Sequence, residues 1–444
     1  MHSKPRVLVY VREYFKQVYI PMFGSLPKVD VVYATDFPTV GMLNIRDSFN
    51  RFLKHPPALQ FTDLDENDII ARCRLLRNLD SMLARRMLRA MQGTIEEIID
   101  GSHHMVFGQM VDDYITHLMA LVAQKRGIRY FGLCGSYFSG CTHVTVGSDG
   151  TPAIVRAVSR DEAQKRLLKI STANFRQNYL QPTTHDFFGH AKRVLRYHAK
   201  LIAFPLLKFY RRDPLNYHYM VQPFVGQPKS LTNFIDNRPF HSDWQMQIEK
   251  SQDPLVYIPL GYTPEATTDY WIKDTSWIDY EKKIIELATF LSKDFKVVIK
   301  EHVHMLGIRD KRFYRELLNI ENVISVPPPV NSNHLLQTYQ PTLLIGGGSA
   351  GVEATIRGIS IVSYCASSYW AKSSGALQIT EDLYQNLPMV LNNARPAKVD
   401  HVNFLSDCLV TTFSFDYLQG SPLDAANESE VMGFIDLEYQ RLTA

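Results

Sequence analysis

The stretch 346–353, with the sequence GGGSAGVE, has residue types that suit the binding of a phosphate. It follows a short apolar run and precedes a predicted helix. Glycines let the backbone approach a phosphate closely, and the N–H groups at the start of a helix favour its negative charge. No Gly-Lys-Ser/Thr sequence follows, so the stretch is not a P-loop. The alternative is that the glycines only allow a helix to pack closely on a strand. The candidate ligand-binding residues here are Gly348, Ser349, Ala350, Gly351 and Glu353.

A second candidate, the tripeptide Lys300-Glu301-His302, stands at the end of the apolar stretch 296–300 (KVVIK). In open α/β sheets, ligands bind beyond the carboxyl ends of the strands. His302 could donate a hydrogen bond to a phosphate or act as a general acid. His304 lies two residues further on, but no Cys or carboxylate pattern accompanies the two histidines. We therefore expect no metal and no cofactor.

Three carboxylates are candidates for acid–base chemistry. Asp112 and Asp113 follow the predicted strand 105–107 and open a helix, and Glu265 follows a proline. Such a carboxylate could deprotonate a hydroxyl group or stabilise a positive charge that develops on a sugar. For the two aspartates, the alternative is a structural role at a helix N-terminus. Candidates for binding the second substrate are Gln109, Ser136 and Tyr137.

Hydrophobic periodicity predicts the elements that position these residues. In the first 150 residues it indicates strands at 6–10, 29–34, 105–107 and 128–133, and helices at 66–100 and from the 108–113 loop to about Arg126. After residue 253 it indicates strands at 255–259, 296–300, 322–326, 342–345 and 359–363, and helices at 277–291 (with Ser276 as N-cap), 311–318, 332–337 and 350–357. This alternation predicts two Rossmann-like domains with parallel sheets, an α/β fold.

The segment between these two regions has a different character. Seven Lys and Arg residues and no acidic residue lie within 190–212, among many apolar side chains. This pattern could form a surface for anionic lipid or a polyanionic acceptor, or it could be a solvated helix between domains. The predicted division is a first domain at 1–154, a helical insertion at 155–250, a second domain at 251–400 and a C-terminal segment at 401–444 whose helix at about 429–441 crosses back to the first domain.

The motif order in the second domain is distinctive: PLGYTPEATT at 259–268, VVIKEH at 297–302, Gly307-x-Arg309, Asn322-Val323 before a proline turn, and GxxGxEA at 348–354. It resembles that of bacterial glycosyltransferases of capsule and surface-polysaccharide synthesis, and in particular the capsular Kdo transferases. The resemblance implies the GT-B fold, in which two Rossmann-like domains face a cleft, and CMP-Kdo as the donor. It also implies that His302 and Ser349 contact the CMP phosphate, while Glu301 and Glu353 hold the ribose or cytosine side.

We therefore expect a metal-independent glycosyltransferase that moves a CMP-activated Kdo or a related ulosonic acid onto a cell-surface glycan or lipid-linked glycan. A UDP- or CDP-linked donor on the same fold is one alternative. A non-catalytic carbohydrate-binding or assembly protein is another, because Val303 stands where the family usually has proline. The net charge of +3 indicates no nucleic-acid partner. We expect a cytoplasmic protein, with peripheral contact to the inner membrane face through 190–212 left open.

Overall fold

The chain divides into two α/β units, one formed by 1–159 with 406–444 and the other by 160–405. The computed structural model describes residues 4–37, 39–55, 57, 63–172, 187–234, 240–379, 383–419 and 422–443. The first unit takes in the C-terminal segment, while most of the predicted insertion lies in the second unit.

The first unit is built on a seven-stranded sheet in the order β13-β6-β5-β4-β1-β2-β3. Strand β1 has the sequence RVLVYV and is almost completely buried, as a central parallel strand covered on both faces must be. The strands are β1 (Arg6–Val11), β2 (Asp30–Thr35), β3 (Leu43–Asn44), β4 (Met105–Gln109), β5 (Arg129–Gly135), β6 (Thr142–Val146) and β13 (Thr412–Phe413). The helices are α1 (Lys16–Gly24), α2 (Ile45–Lys54), α3 (Asp63–Arg72), α4 (Ser81–Ile98), α5 (Tyr114–Lys125) and α17 (Ala425–Thr443), and α16 (His401–Leu409) crosses the boundary between the units.

The C-terminal helix completes the core of the first unit. Val431, Phe434 and Ile435 of α17 are buried in one cluster with β1, β4, β5 and α1. The ring of Phe434 meets those of Phe107 and Phe131 edge-on. The last helix of the chain therefore covers the sheet that the first strands build.

The second unit has a six-stranded parallel sheet in the order β12-β11-β10-β7-β8-β9. Its strands are β7 (Leu255–Pro259), β8 (Lys296–Lys300), β9 (Val323–Val326), β10 (Thr342–Ile345), β11 (Ile361–Ser363) and β12 (Leu377–Gln378). Its helices are α6 (Arg160–Ile170), α7 (Phe187–Tyr210), α8 (Tyr217–Met220), α9 (Trp244–Glu249), α10 (Ala266–Asp269), α11 (Tyr280–Leu291), α12 (Lys311–Leu318), α13 (Ser332–Tyr339), α14 (Ala350–Ile356) and α15 (Leu383–Asn393). The strand order is that of the Rossmann fold. The predicted α/β class with two Rossmann-like domains is confirmed.

Three local predictions were wrong. The predicted helix 66–100 breaks into α3 and α4, because the side chain of Asp80 caps the start of α4 by accepting hydrogen bonds from two backbone N–H groups. The first sheet is not wholly parallel: six residues join β5 to β6, and so short a connection forms an antiparallel pair. Asp274, not Ser276, caps the single turn before α11.

Among the described residues, no helix combines the length and the apolar character needed to cross a bilayer.

Two histidines in the first unit make its stability sensitive to acid. His117 of α5 and His143 of β6 are buried, and burial lowers the pKa of each to about 4. Below the ordinary histidine pKa of about 6.5, the unfolded chain takes up protons that the folded chain cannot accept. We therefore expect the free energy of unfolding to fall between pH 6.5 and 4, by at most about 3 kcal/mol for each residue. The urea midpoint of unfolding measured across this range checks the expectation.

The matched variants are His143→Gln and, as a control, His55→Gln at an exposed position. His143→Gln should flatten the pH dependence, whereas His55→Gln should leave it unchanged. An identical acid dependence in wild type and His143→Gln would contradict this account.

Candidate functional site

The strand order of the second sheet places a switch point at the carboxyl ends of β7 and β10. These two strands are neighbours, but the chain leaves β7 towards β8 on one side and leaves β10 towards β11 on the other. The connections diverge at such a switch point and leave room for a ligand. The segments that follow β7, β8 and β10 at this edge are 260–265, 301–304 and 346–349. Both predicted ligand-binding motifs therefore lie at one edge of one sheet.

Glu301 is a buried anchor at this edge. The residue is 1% exposed, and both carboxylate oxygens accept hydrogen bonds from the protein. Oε1 accepts from the backbone N–H of His302 at 2.6 Å, and Oε2 accepts from Nε of Arg309 and the hydroxyl of Tyr314, each at 2.8 Å. The structure thus favours a positioning role for Glu301 over the direct nucleotide contact that the resemblance implies.

Arg309 joins the segment after β8 to the segment after β7. Besides its ion pair with Glu301, its guanidinium donates to Oγ1 of Thr263 at 2.9 Å and to the carbonyl of Gly261. It also lies over the ring of Tyr280, 5.1 Å from the centroid. The sequence identified Arg309 as part of a motif but gave it no role. The structure shows that it holds two of the three segments in place.

His302 offers a neutral hydrogen-bond donor. Its Nδ1 accepts from the backbone N–H of His304 at 3.3 Å, so in the neutral ring Nε2 carries the proton. Burial, with smaller contributions from His304, Lys300 and Arg309, lowers the pKa of His302 to about 3. Near neutral pH the imidazole is therefore uncharged, and Nε2–H has no hydrogen-bond partner among the described residues. Lys300, at the end of β8, brings a positive charge to the same edge.

Close packing requires some glycines of the 346–351 stretch but not others. A Cβ on Gly346 would lie 2.6 Å from the ring of Tyr364, and one on Gly351 would overlap the ring of Trp370. Close packing therefore explains these two positions. A Cβ on Gly347 would meet its neighbours at 3.4 Å, an ordinary contact, and Gly347 has no positive φ. Neither packing nor backbone conformation requires a glycine there.

The other predicted residues of this stretch lie at the start of α14. Ser349 precedes the helix without capping it, and its hydroxyl makes no hydrogen bond with another described residue. Gly348 is exposed, and its carbonyl accepts a hydrogen bond from Nε1 of Trp370 at 3.0 Å. Ala350 is half-buried, and Glu353 is buried in the first turn of α14. Ser349 is therefore the predicted residue most available to a ligand.

Glu265 lies in the segment after β7. It precedes the short helix α10, and its carboxylate accepts from the hydroxyl of Thr267 at 2.8 Å. The side chain is half-buried, and Thr263 of the same segment is held by Arg309. Glu265 thus stands at the same sheet edge as His302, and its catalytic role stays a prediction.

In the first unit, the two aspartates differ sharply. Asp113 is fully buried, pairs with Arg12, and caps α5 by accepting from the backbone N–H of Thr116 at 2.8 Å. This is the structural role at a helix N-terminus that the sequence left open. Asp112 pairs with Arg74, and its side chain is 20% exposed. The structure therefore favours Asp112 over Asp113 for contact with a substrate.

The remaining candidates follow β4 and β5, which are paired strands. Gln109 ends β4, and its Oε1 accepts from the hydroxyl of Tyr14 at 3.1 Å. Ser136 is half-buried and accepts from the backbone N–H of Phe138, while Tyr137 is buried. Their predicted role in acceptor binding stays a prediction.

Within the described part of the chain, no group of three or more His, Cys, Asp or Glu side chains is arranged to hold a metal ion.

Comparison with known proteins gives similarities of fold. No protein-family model matches the chain, and no curated protein sequence matches it. Among solved structures, the chain is similar to the KpsC β-Kdo 2,4-transferase of Thermosulfurimonas dismutans, at 11% identity and a TM-score of 0.37 over 98% of this chain and 99% of that one. It is also similar to the KpsC β-Kdo 2,7-transferase of the same organism, at 12% identity and a TM-score of 0.31 over 85% and 98%. The UDP-GlcNAc 2-epimerase of Methanocaldococcus jannaschii matches at 11% identity and a TM-score of 0.28 over 90% and 97%.

The two kinds of glycine can be separated by substitution. Gly351→Ala forces a methyl group into the ring of Trp370 and should destabilise the protein by about 1–3 kcal/mol. Gly347→Ala adds a methyl group at ordinary contact distance, so its stability should be unchanged or slightly higher. Urea unfolding of the two variants beside wild type makes the comparison. Equal losses of stability in both variants would show that packing requires the whole stretch.

Proposed function

We propose that this protein is a glycosyltransferase and that its second domain binds the nucleotide part of an activated sugar at the carboxyl edge of β7, β8 and β10. The observation that supports the proposal is the presence of two donor groups at one edge of the sheet, after the strands β8 and β10 that lie on either side of β7. Nε2–H of His302 and the hydroxyl of Ser349 make no hydrogen bond with another described residue, and both belong to segments at that edge. A phosphate is the ligand that such donors, beside Lys300, suit best.

The chemistry at this edge is phosphate recognition without a change of protonation in the protein. His302 donates as a neutral imidazole because burial keeps its pKa low. Packing does not require a glycine at position 347, where a Cβ would meet Thr267, Trp271 and Ser368 at 3.4–3.5 Å, so we propose that Gly347 lets an oxyanion approach the backbone closely. When the bond between the anomeric carbon and the phosphate oxygen breaks, negative charge develops on that oxygen. His302, whose segment is held in place by Glu301 and Arg309, stabilises this charge without rearranging.

The preferred donor in this proposal is a CMP-activated Kdo or a related ulosonic acid, and the acceptor is a glycan or a lipid-linked glycan of the cell surface. The motif order from PLGYTPEATT to GxxGxEA supports this choice. We propose that the reaction takes place on the cytoplasmic side, where activated sugars are made, and that it needs no metal.

The proton of the acceptor hydroxyl needs a base. We propose Asp112, because it is partly exposed while Asp113 is committed to α5 and Arg12. The acceptor oxygen bonds to the anomeric carbon, the phosphate leaves with the bonding electron pair, and the proton passes to the carboxylate. The ion pair with Arg74 holds the carboxylate of Asp112 in position.

Nucleotide titration tests the donor site. We expect CMP to bind, and Ser349→Ala and His302→Ala each to weaken its binding by about 1–3 kcal/mol, as the loss of one hydrogen bond to a charged group implies. Gly347→Ala should also weaken binding, although the variant folds normally. Isothermal titration with CMP, CDP and UDP measures these affinities.

The controls are Ser292→Ala, just before β8 at the opposite edge of the sheet, and His55→Gln in the first unit. Both should bind CMP as wild type does. Tighter binding of UDP or CDP would point to the alternative donors, and binding of no nucleotide would point to a non-catalytic protein. Unchanged affinity in both Ser349→Ala and His302→Ala would refute the site.

The two aspartates should respond differently to amidation. Asp112→Asn removes the proposed base, so release of CMP from CMP-Kdo should slow by about 10²-fold or more while CMP affinity is kept. Asp113→Asn breaks a buried ion pair, so its main effect should be a loss of stability. Turnover assays and urea unfolding of both variants separate the two effects. If Asp112→Asn turns over normally, the base is another residue, and Glu265→Gln is the variant to compare.

A further inference from the structure

Helix α7 has one face packed on the second unit and an apolar stripe on the opposite face that no described residue covers. Its 24 residues extend about 36 Å. His190, Val194 and Tyr197 form the packed face and are buried. Nε2 of His190 lies 2.8 Å from the carbonyl oxygen of Ser230, and its ring lies against Gly307, whose φ is +76°. The helix is therefore fixed by one side to the turn that carries Arg309.

The stripe repeats with the spacing of a single helix face. Phe188, Leu195, Ile202 and Phe209 are each seven residues apart, and Leu206 lies between the last two. These five side chains are between 66% and 86% exposed. Residues seven apart lie almost directly above one another on a helix, so the five form one continuous row. An isolated exposed leucine is ordinary, but a contiguous row of this length marks a contact surface.

The charges on the helix indicate what covers the row. Lys192 lies in line with it, and Arg193, Arg196 and Lys200 recur at spacings of three and four along one flank. No acidic residue occurs between His190 and Arg212. A second copy of the chain would bring these bases against one another with no carboxylate to balance them. An anionic lipid surface satisfies both features, because its headgroups attract the bases and its acyl chains accept the apolar row.

We propose that α7 lies in the plane of a membrane that contains anionic phospholipid, with the apolar row inserted below the headgroups. Long lysine and arginine side chains reach up to the phosphates while the aliphatic row stays in the hydrocarbon boundary. The aromatic side chains Phe209 and Tyr210 at the end of the helix are suited to the interface, and both are exposed. This contact does not depend on the identity of the donor.

Co-sedimentation of the full chain with vesicles tests the proposal. We compare vesicles of phosphatidylcholine alone with vesicles that also contain phosphatidylglycerol, at low and high salt. Wild type should bind the mixed vesicles at least about tenfold more tightly, and salt should weaken the binding. The stripe variant Leu195→Gln/Ile202→Gln/Leu206→Gln and the charge variant Lys192→Gln/Arg196→Gln/Lys200→Gln should each lose at least about tenfold.

The matched control is Leu168→Gln/Lys169→Gln, which removes an exposed apolar side chain and an exposed base from α6 in the same unit. It should bind vesicles as wild type does. Failure of wild type to bind the mixed vesicles at low salt overturns the proposal. The proposal is also overturned if light scattering shows that wild type is a dimer and that the stripe variant is a monomer. The row would then be covered by a second copy of the chain. If the charge variant binds the mixed vesicles as tightly as wild type does, the choice of anionic lipid is overturned. Nucleotide is absent from every arm, so these results are independent of the donor-site titrations.

Discussion

The buried ion pair between Glu301 and Arg309 organises the second domain. Both residues are 1% exposed, and the pair is completed by the hydroxyl of Tyr314, the backbone N–H of His302 and the carbonyl of Gly261. Removing one partner from such a pair leaves an uncompensated buried charge, at a cost of about 3–5 kcal/mol. His302, Gly261 and Thr263, which the pair contacts, belong to segments that follow β8 and β7, while Tyr314 of α12 and Glu281 of α11 contact it from two helices. The pair therefore fixes the shape of the sheet edge as well as contributing to stability.

The turn at Gly307, just before Arg309, also links the proposed donor site to helix α7. Gly307 allows the chain to turn with positive φ, and the ring of His190 from α7 occupies the space that a side chain would take. Two residues later, Arg309 reaches back to Glu301 and Thr263. The helix that we propose to bind a membrane and the proposed nucleotide site are thus attached to one short segment of chain. In the proposed function, this arrangement brings the donor to the surface where lipid-linked acceptors are found.

Much of the second domain could be predicted from local sequence because its strands are short, β-branched and separated by helices with clear caps. Strands 255–259, 296–300 and 342–345 were predicted with their observed bounds. The role of Glu301 could not be predicted, because its partners lie 8 and 13 residues further along and meet it only in the folded domain. Likewise, nothing local shows that Gly346 and Gly351 are required by Tyr364 and Trp370.

In the first domain, the break between α3 and α4 did have a local signal, since Asp80-Ser81 is a typical N-terminal cap. The contact that the break permits is not local, because Arg74, which lies between α3 and α4, forms an ion pair with Asp112. The apolar row on α7 shows the opposite case. Its spacing was readable in the sequence, but only the fold shows which of the apolar faces is packed and which is left exposed.

The most direct test of the central claim is a crystal structure of the chain with CMP. The account predicts that the phosphate lies beyond the carboxyl ends of β7, β8 and β10, within hydrogen-bond distance of Nε2 of His302 and the hydroxyl of Ser349. It also predicts that the Glu301–Arg309 pair is unchanged. A nucleotide bound in the first domain, or a phosphate that contacts neither His302 nor Ser349, would contradict it.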